Sequence, residues 1–274
     1  MASTLRGFGY WVRSRLSVSP TMEFALSNLN ARVSVGSRTL FARQLAKYRG
    51  YEAINSNWVL REFANAHGGL FVDVGANFGW YSLLFSTCAG PTGQVAAIEP
   101  DDANFALLRH NIEFNKLANV AALQVGVGAS KGTAQLFELD RFNPGAHSVR
   151  PVEGACSART IELHRLDELL APFPGHISLL KMDIEGYEID ALLGAEATLA
   201  RTQNVLVEYS PRFLKACGHT PGTLLTMLSD LGLAPHFITE FGLRPTSVAG
   251  VLQAVGDEPG CKCWQTDLVF QRTS

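Results

Sequence analysis

The chain has 274 residues, of which 47% are hydrophobic and 18% charged, and its formal net charge is -2. This composition is typical of a globular protein with enough apolar residues for one large core. The nearly neutral balance lacks the basic excess that usually accompanies nucleic-acid binding, so we expect no nucleic-acid partner.

The cysteines give no sign of a disulfide framework, because their number is odd and their spacing is scattered. The five are Cys88, Cys156, Cys217, Cys261 and Cys263. The pair at 261 and 263 has no second pair or histidine cluster at zinc spacing, so we expect no structural metal. This cysteine usage fits a reducing cytoplasm best, and no run is long and apolar enough for a transmembrane segment.

Residues 1–50 precede the α/β pattern and form an N-terminal extension. Arginines at 6, 13 and 15 interrupt the apolar start, which argues against a secretion signal. The apolar residues between them predict a short amphipathic helix for the body of the protein, a second subunit or a membrane surface. Alternation around Gly36 and Ser37 predicts a hairpin over residues 31–41. We expect a homo-oligomer that associates through this extension.

An α/β unit of residues 51–274 follows, and it begins with a predicted helix around Trp58, Leu60 and Phe63. Glu52 comes immediately before that helix. From there it could fold over a bound cofactor, although a surface glutamate is an equally consistent interpretation.

Residues 70–82 (Leu-Phe-Val-Asp-Val-Gly-Ala-Asn-Phe-Gly-Trp-Tyr-Ser) predict a buried strand, a tight turn and the start of a helix. Gly75 and Gly79 permit a positive φ and the close approach of a ligand. The helix start is expected to offer unpaired N–H groups to a negative group, and Asp73 to accept a bond from a cation. A ligand with both an ammonium and a carboxylate, such as the methionine part of S-adenosylmethionine, fits this turn better than a pyrophosphate does. A tight turn without a ligand is the alternative.

A second apolar run, residues 94–98, ends in Glu99. This acid lies about 20 residues beyond the glycine turn, where a ribose-binding carboxylate is expected, and it can accept both ribose hydroxyls. The spacing Asp-x-Gly-x-Asn-x-Gly differs from the G-x-G-x-x-G of dinucleotide folds. The two signals together predict a nucleoside cofactor.

Residues 120–125 predict a third strand, and Val127 follows where a nucleobase edge would lie, so main-chain groups there could bind adenine. Residues 132–139 and 159–163 have β character and predict an inserted hairpin over the edge of the sheet. His147 lies in the loop between them. It either faces a substrate or is merely solvated.

Residues 177–188 (Ile-Ser-Leu-Leu-Lys-Met-Asp-Ile-Glu-Gly-Tyr-Glu) predict a buried strand that runs into charge. In an extended chain Lys181, Asp183 and Glu185 project to the same side, at the strand end where open α/β sheets bind ligands. Glu188 is explained as a charged cap at the start of the following helix. Residues 204–208 predict a further strand that ends in Glu208, so three neighbouring strands bring carboxylates to one rim.

Taken together, Phe71–Ser82, Ile98–Pro100 and Leu180–Glu188 resemble the FkbM-type family of S-adenosylmethionine-dependent methyltransferases, and residues 205–208 and 266–271 continue the likeness. The resemblance covers about residues 51–272. It implies the class I methyltransferase fold, a Rossmann-like, doubly wound seven-stranded α/β sheet whose last strand is antiparallel. It also implies O-methylation of sugars or natural products. Carried over to this chain, the cofactor residues are Asp73, Gly75, Asn77, Gly79 and Glu99.

The predicted activity is in-line transfer of a methyl group to a hydroxyl of a small molecule or glycan. Positioning supplies most of the catalysis, together with removal of the hydroxyl proton. The candidates for orienting the acceptor or acting as general base are Asp183, Glu185, Glu208 and His147.

Other interpretations stay open. In one variant, Asp183 and Glu208 coordinate a divalent cation that lowers the pKa of the acceptor hydroxyl. A nicotinamide-dependent oxidoreductase would also place an acid on a ribose, but the glycine spacing disfavours it. A non-catalytic binding protein with the same fold is disfavoured by the intact cofactor residues.

Overall fold

The computed structural model describes residues 10, 19–26, 29–138, 147–149, 156–256 and 263–273. The strands are Thr21–Leu26 (β1), Ala31–Gly36 (β2), Leu70–Val74 (β3), Gln94–Ile98 (β4), Val120–Leu123 (β5), Gly126–Val127 (β6), Gly132–Glu138 (β7), His147–Ser148 (β8), Ser157–His164 (β9), Ile177–Met182 (β10), Asn204–Tyr209 (β11), Leu233–Thr239 (β12), Gly242–Pro245 (β13) and Thr266–Arg272 (β14). The helices are Leu40–Tyr48 (α1), Ala53–Glu62 (α2), Trp80–Ala89 (α3), Asp102–Phe114 (α4), Leu166–Leu169 (α5), Glu188–Leu193 (α6), Glu196–Ala200 (α7), Pro211–Ala216 (α8), Pro221–Asp230 (α9) and Val248–Ala254 (α10).

The central sheet has the order β13-β12-β14-β11-β10-β3-β4-β5. Its middle strands β11, β10, β3, β4 and β5 pair in parallel, whereas β14 lies antiparallel between β11 and β12. From β3 the chain proceeds to one side through β4 and β5, and then crosses to the other side through β10 and β11. This arrangement confirms the predicted class I fold with a reversed last strand. It adds β13 as an eighth strand at the edge.

The sheet separates two apolar cores. Every residue of β3 and β10 is buried, which explains why both read as continuous apolar runs. Alternate residues point to opposite faces, so Phe71 and Leu179 join one core while Val72 and Leu180 join the other.

An additional four-stranded sheet, ordered β6-β9-β7-β8, covers one end of the central sheet. Strands β7 and β9 pair in antiparallel register from Gly132 opposite Leu163 to Glu138 opposite Ser157, which confirms the predicted insertion. The third strand of the central sheet ends at Leu123, before the predicted Val125. The reason is that Gly126 and Val127 pair with β9 instead.

The predicted hairpin over residues 31–41 is wrong in its position. The hairpin is formed by β1 and β2, and Gly36 instead leads into α1. Thr39 starts that helix, because its side-chain hydroxyl accepts a hydrogen bond from the Ala42 N–H at 3.2 Å. A strong N-cap therefore ends the strand where alternation alone suggested a turn.

The described part of the N-terminal extension packs against the body of the protein. Val33, Val35, Phe41 and Leu45 lie in the same core as Phe71. The predicted amphipathic helix falls almost wholly on residues outside the described ranges, so association through it stays a prediction. The cysteines at 88 and 263 are free thiols, and Cys261 lies outside the described part of the chain. Across the same described ranges, no helix combines the length and the apolar character that crossing a membrane requires.

Two asparagines, one in the last turns of α4 and one at its C-cap, bind the edge of β2. Asn111 accepts a hydrogen bond from the Ser34 N–H at 2.7 Å and donates to the Ser34 carbonyl at 2.9 Å. Asn111 also donates to the Phe78 carbonyl at 2.7 Å. One turn later, Asn115 repeats the pairing with the N–H and carbonyl of Arg32, at 2.8 and 2.7 Å. The two amides thus bond to β2 as a neighbouring strand would, and they join it to the helix that follows Glu99.

We predict that Asn111→Ala lowers the free energy of unfolding by about 1–3 kcal/mol, because buried main-chain groups at Ser34 and Phe78 lose their partners. Asn115→Ala is the matched control. It should cost less, because Arg32 is exposed and water can replace the amide. Urea denaturation of the two variants measures the difference. Equal losses would show that burial does not set the strength of this attachment.

Candidate active site

A cavity of about 410 Å³ opens at the carboxyl ends of the central parallel strands. It brings together most of the residues singled out from the sequence. Those in its wall are Glu52, Gly75, Asn77, Glu99, Val127, His147, Asp183, Glu185 and Glu208. Asp73 and Gly79 lie behind the wall, where they support it.

The turn after β3 is closely packed and internally bonded. Gly75 has φ 74°, and a Cβ there would overlap the main-chain carbonyl oxygen of Asp183. This glycine is therefore needed for the contact between the ends of β3 and β10, and a larger residue would disturb the fold as well as the cavity. Asn77 adopts φ 52°, and its side-chain oxygen accepts a hydrogen bond from the Phe78 N–H at 2.8 Å.

The N–H groups of this turn have acceptors within the protein, whereas the unpaired N–H groups expected from the sequence belong to the helix start that follows and stay a prediction. The N–H groups of Gly75 and Ala76 both donate to the Ile98 carbonyl at 3.0 Å, and that of Gly79 donates to the Ala76 carbonyl. The Asn77 N–H donates to Glu99 at 2.7 Å. The turn thus holds Glu99 in place, and its N–H groups from 75 to 79 are already satisfied within the protein.

Gly79 and Asp73 have supporting roles. Gly79 begins α3 with φ 90°, and a Cβ there would lie 2.8 Å from Leu108 of α4. Asp73 is fully buried and accepts a hydrogen bond from the Ser82 hydroxyl at 2.7 Å. Burial raises the pKa of Asp73, and the charge of Lys181 partly offsets this. Asp73 is expected from the sequence to meet a ligand cation, whereas here the cation beside it is Lys181.

Lys181 lies in register with Asp73 on the neighbouring strand. Its Nζ donates to the Gly75 carbonyl at 3.0 Å and lies 3.4 Å from Asp183 and 3.7 Å from Asp73. Burial alone would lower the pKa of Lys181. The charges of Asp183 and Asp73 outweigh burial and hold this pKa above its ordinary value. Lys181 is therefore a permanent cation in the wall of the cavity.

Glu99 sits at the end of β4 with only 5% of its surface exposed. One carboxylate oxygen accepts the Asn77 N–H and the other accepts the Asp101 N–H at 2.9 Å. Burial raises the pKa of Glu99 to about 7, although the two N–H groups favour its ionised form. Each carboxylate oxygen has two lone pairs. The group therefore keeps acceptor capacity for two further donors, such as the hydroxyls of a ribose.

The additional sheet forms an apolar wall beside Glu99. Val127, Leu136, Ile161 and Leu163 line this part of the cavity. A planar apolar group such as a nucleobase fits such a surface.

His147 belongs to the same end of the cavity. Its Nε2 lies 3.5 Å from a carboxylate oxygen of Asp101, and Arg159 approaches the same oxygen at 2.6 Å. Burial alone would raise the pKa of Asp101, but His147, the Asn104 N–H and Arg159 together lower it. The structure thus places His147 near Glu99, on the wall that the insertion contributes.

The opposite end of the cavity is acidic. Glu208 and Asp267 face each other directly in the antiparallel register of β11 and β14. One oxygen of Glu208 accepts a hydrogen bond from the Gln265 side chain, and no described residue donates to the other. Asp267 accepts a hydrogen bond from Asn55 at 2.7 Å. Asp267 was missed from the sequence, where the only signal was an acid at the start of an apolar strand.

Glu52 reaches the same acidic end. It precedes α2 with φ 43°, and it accepts hydrogen bonds from the Tyr81 hydroxyl at 2.6 Å and from Asn55 at 3.5 Å. Tyr81 was not singled out from the sequence, because its position in α3 fits an ordinary core residue equally well. The bonds place the Glu52 carboxylate in the cavity wall, as the interpretation of Glu52 as a covering residue requires.

Several carboxyl groups at the acidic end have raised pKa values. Burial raises the pKa of Glu185 to about 9 and that of Asp267 to about 7, and negative neighbours add to both shifts. Burial and the charge of Asp183 also raise the pKa of Glu208 well above its ordinary value. Carboxyl groups of this kind can exchange protons near neutral pH.

Glu188 has a structural task. As the first residue of α6, it accepts hydrogen bonds from the N–H groups of Ile184 and Gly186 at 3.1 and 3.2 Å, which closes the turn that carries Asp183 and Glu185.

Within the described ranges, no three His, Cys, Asp or Glu side chains form a group that could hold a metal ion. The divalent-cation variant therefore gains no support from the geometry of Asp183 and Glu208.

The sequence matches a known family. The sequence profile described as "Methyltransferase FkbM domain" matches residues 73–233. Among curated relatives, Methyltransferase sdnD of Sordaria araneosa is 31% identical over 169 residues, which cover 50% of this chain and 64% of that protein. Hexuronic acid methyltransferase AglP of Haloferax volcanii is 30% identical over 165 residues, which cover 59% of this chain and 62% of that protein. The chain thus spans about three fifths of the length of the curated relatives it matches.

Among solved structures, the FkbM methyltransferase of Methylobacillus flagellatus aligns with a TM-score of 0.45 and 17% identity. The alignment covers 74% of this chain and 44% of that one.

We predict that Glu99 makes stability depend on pH. Its pKa rises from about 4.5 to about 7 on folding, so its contribution to stability is present below pH 4.5 and is lost as the pH rises through 7. Glu99→Gln should therefore lose less stability than the wild type between pH 5 and pH 8. Denaturation at both pH values measures this, with the exposed Glu113→Gln as control. If the stability of Glu99→Gln and that of Glu113→Gln both change with pH as the stability of the wild type does, the Glu99 carboxyl is not desolvated as described.

Proposed function

Because the chain belongs to the FkbM methyltransferase family, we propose that it binds S-adenosylmethionine and transfers the methyl group to a hydroxyl of a sugar, glycan or natural product. The observation that carries the cofactor assignment is Glu99. Its carboxylate is buried at the end of the second core strand, is fixed by two N–H groups, and still has acceptor sites directed to the cavity.

The two ends of the cavity suit the two ends of the cofactor. Glu99 would hold the ribose hydroxyls, and the wall formed by Val127, Leu136 and Ile161 would cover the adenine. From the ribose, the turn at residues 75–77 leads towards Lys181 and the acidic end. Bound there, the cofactor supplies a methyl group on a positively charged sulfur.

The acidic end would hold the methyl acceptor. Asp183 and Glu208 end neighbouring strands, on the side of the sheet away from Glu99. A carboxylate there can orient the acceptor hydroxyl and take its proton as the oxygen bonds to the methyl carbon. Lys181 keeps Asp183 in place at 3.4 Å. A sugar acceptor is supported by the relative whose name describes a hexuronic acid methyltransferase.

We predict that the protein binds S-adenosylmethionine but not NAD⁺, and that Glu99→Gln weakens the binding of S-adenosylmethionine at least about tenfold, because a charge-assisted contact to the ribose is lost. Titration calorimetry of both proteins with both ligands provides the measurement, and Glu113→Gln is the control. Tight binding of NAD⁺ would favour the oxidoreductase interpretation. Unchanged affinity for S-adenosylmethionine in Glu99→Gln would refute the ribose assignment.

We also predict that Asp183→Asn and Glu208→Gln damage turnover more than cofactor affinity. Loss of a general base typically costs about 10²–10⁴-fold in rate. The measurement is single-turnover methyl transfer at saturating cofactor, together with the dissociation constant for S-adenosylmethionine. Glu240→Gln, an exposed carboxylate, is the control. If affinity collapses while the rate at saturation stays normal, these residues bind the cofactor and the division of the cavity is wrong.

A further inference from the structure

A cluster of polar and charged side chains joins the additional sheet to the loop that follows Glu99. Asp101 lies in this loop with 2% of its surface exposed. One of its carboxylate oxygens lies 2.6 Å from Nη2 of Arg159 and 3.5 Å from Nε2 of His147. Arg159 belongs to β9 and His147 to β8, so both partners come from the additional sheet. Asp101 therefore links two walls of the cavity that lie far apart in the sequence.

The main chain of Asp101 holds Glu99. The Asp101 N–H donates to one carboxylate oxygen of Glu99 at 2.9 Å, and the Asn77 N–H donates to the other at 2.7 Å. The second side-chain oxygen of Asp101 accepts the Asn104 N–H at 2.8 Å and so caps the start of α4. One of the two N–H groups that fix Glu99 thus depends on where Asp101 lies.

Arg159 compensates the buried charge of Asp101. Burial alone would raise the pKa of Asp101, but its hydrogen-bond donors and the charge of Arg159 lower it, so the carboxylate is ionised at neutral pH. No neutral group among the described residues donates to the oxygen that faces Arg159. A buried carboxylate that loses its cation has to take up a proton or turn towards water. Either change would shift the loop, and with it the N–H group that holds Glu99.

The side chain of Arg159 projects from the face of the additional sheet that lines the cavity. Residues two apart on a strand point to the same face, so Arg159 shares a face with Ile161 and Leu163. Both of these apolar residues line the cavity, as does Leu136, which lies opposite Arg159 in the register of β7 and β9. Arg159 itself does not reach the cavity wall. Any effect that it has on a bound ligand must therefore pass through its partners.

We propose that Arg159 is a positioning residue for cofactor binding, which fixes Asp101 from the additional sheet and thereby holds Glu99 ready for the ribose hydroxyls. This inference rests on the proposed function. It predicts that recognition of the ribose depends on a residue of the insertion, 60 positions beyond Glu99, that does not touch the cofactor. Loss of Arg159 should loosen Glu99 and so weaken the preference for a ribose that carries both hydroxyls.

The test compares two ligands that differ by one hydroxyl, S-adenosylhomocysteine and its 2′-deoxyribose analogue. Both are titrated calorimetrically against the wild type and against Arg159→Gln. The wild type should bind the ribose form about tenfold or more tightly, because the deoxy form leaves an acceptor site of buried Glu99 unpaired. In Arg159→Gln the affinity for S-adenosylhomocysteine should fall, and the preference should shrink to about threefold or less.

Control variants separate positioning from a general loss of stability. Arg109→Gln is the matched control, because Arg109 is an exposed arginine of α4 whose partner is Glu113 at 3.2 Å. It should keep the wild-type preference. In the double variant Glu99→Gln/Arg159→Gln, the second substitution should not reduce the preference below that of Glu99→Gln alone, because Arg159 acts through Glu99.

The wild-type preference in Arg159→Gln, or a further loss of preference in the double variant, would overturn the positioning role. If circular dichroism shows that Arg159→Gln does not fold, Asp101→Asn/Arg159→Gln takes its place, since it leaves no unpaired buried charge. The preference should fall there as well, and the wild-type preference would again overturn the proposal. These failures leave the methyltransferase assignment standing. Failure of the wild type to bind S-adenosylhomocysteine overturns the proposed function itself.

Discussion

The buried ammonium group of Lys181 is the interaction on which the geometry of the site depends. It donates to the Gly75 carbonyl and lies between Asp73 and Asp183. These contacts of Lys181 link the carboxyl ends of β3 and β10, the two neighbouring strands between which the strand order reverses. Because the carboxyl ends of these strands are joined in this way, the turn that fixes Glu99 and the rim of carboxylates form one continuous wall. Removing the lysine would leave Asp73 as an uncompensated buried acid, which is strongly destabilising.

The parts of the site that local patterns specify could be predicted from the sequence. The central strands are buried on both faces, so they appear as apolar runs that end in an acid. Glu99 and Asp183 were placed correctly at strand ends because strand order and direction follow from the α/β alternation. Glu188 was correctly interpreted as a cap, since its partners lie within four residues.

The features that the sequence could not show depend on contacts between distant segments. The sequence predicts that Asp73 meets a cation, but it does not show that Lys181, 108 positions along the chain, lies in register beside this acid. The place of Asp267 in the site is recognisable only from its pairing with Glu208, which the antiparallel last strand brings about. The N–H groups of Gly75, Ala76 and Asn77 donate to Ile98 and Glu99 at the end of the next strand, which the sequence of the turn does not show. In each case the deciding partner comes from the tertiary fold.

The central claim is that one cavity holds S-adenosylmethionine with its ribose on Glu99 and its methyl group towards the acidic rim. A crystal structure of the protein with S-adenosylmethionine tests it most directly. The account predicts both ribose hydroxyls within hydrogen-bond distance of the Glu99 carboxylate, the adenine beside Val127, and the methyl group facing Asp183 and Glu208. A ribose bound away from Glu99, or a methyl group directed towards His147, would contradict it.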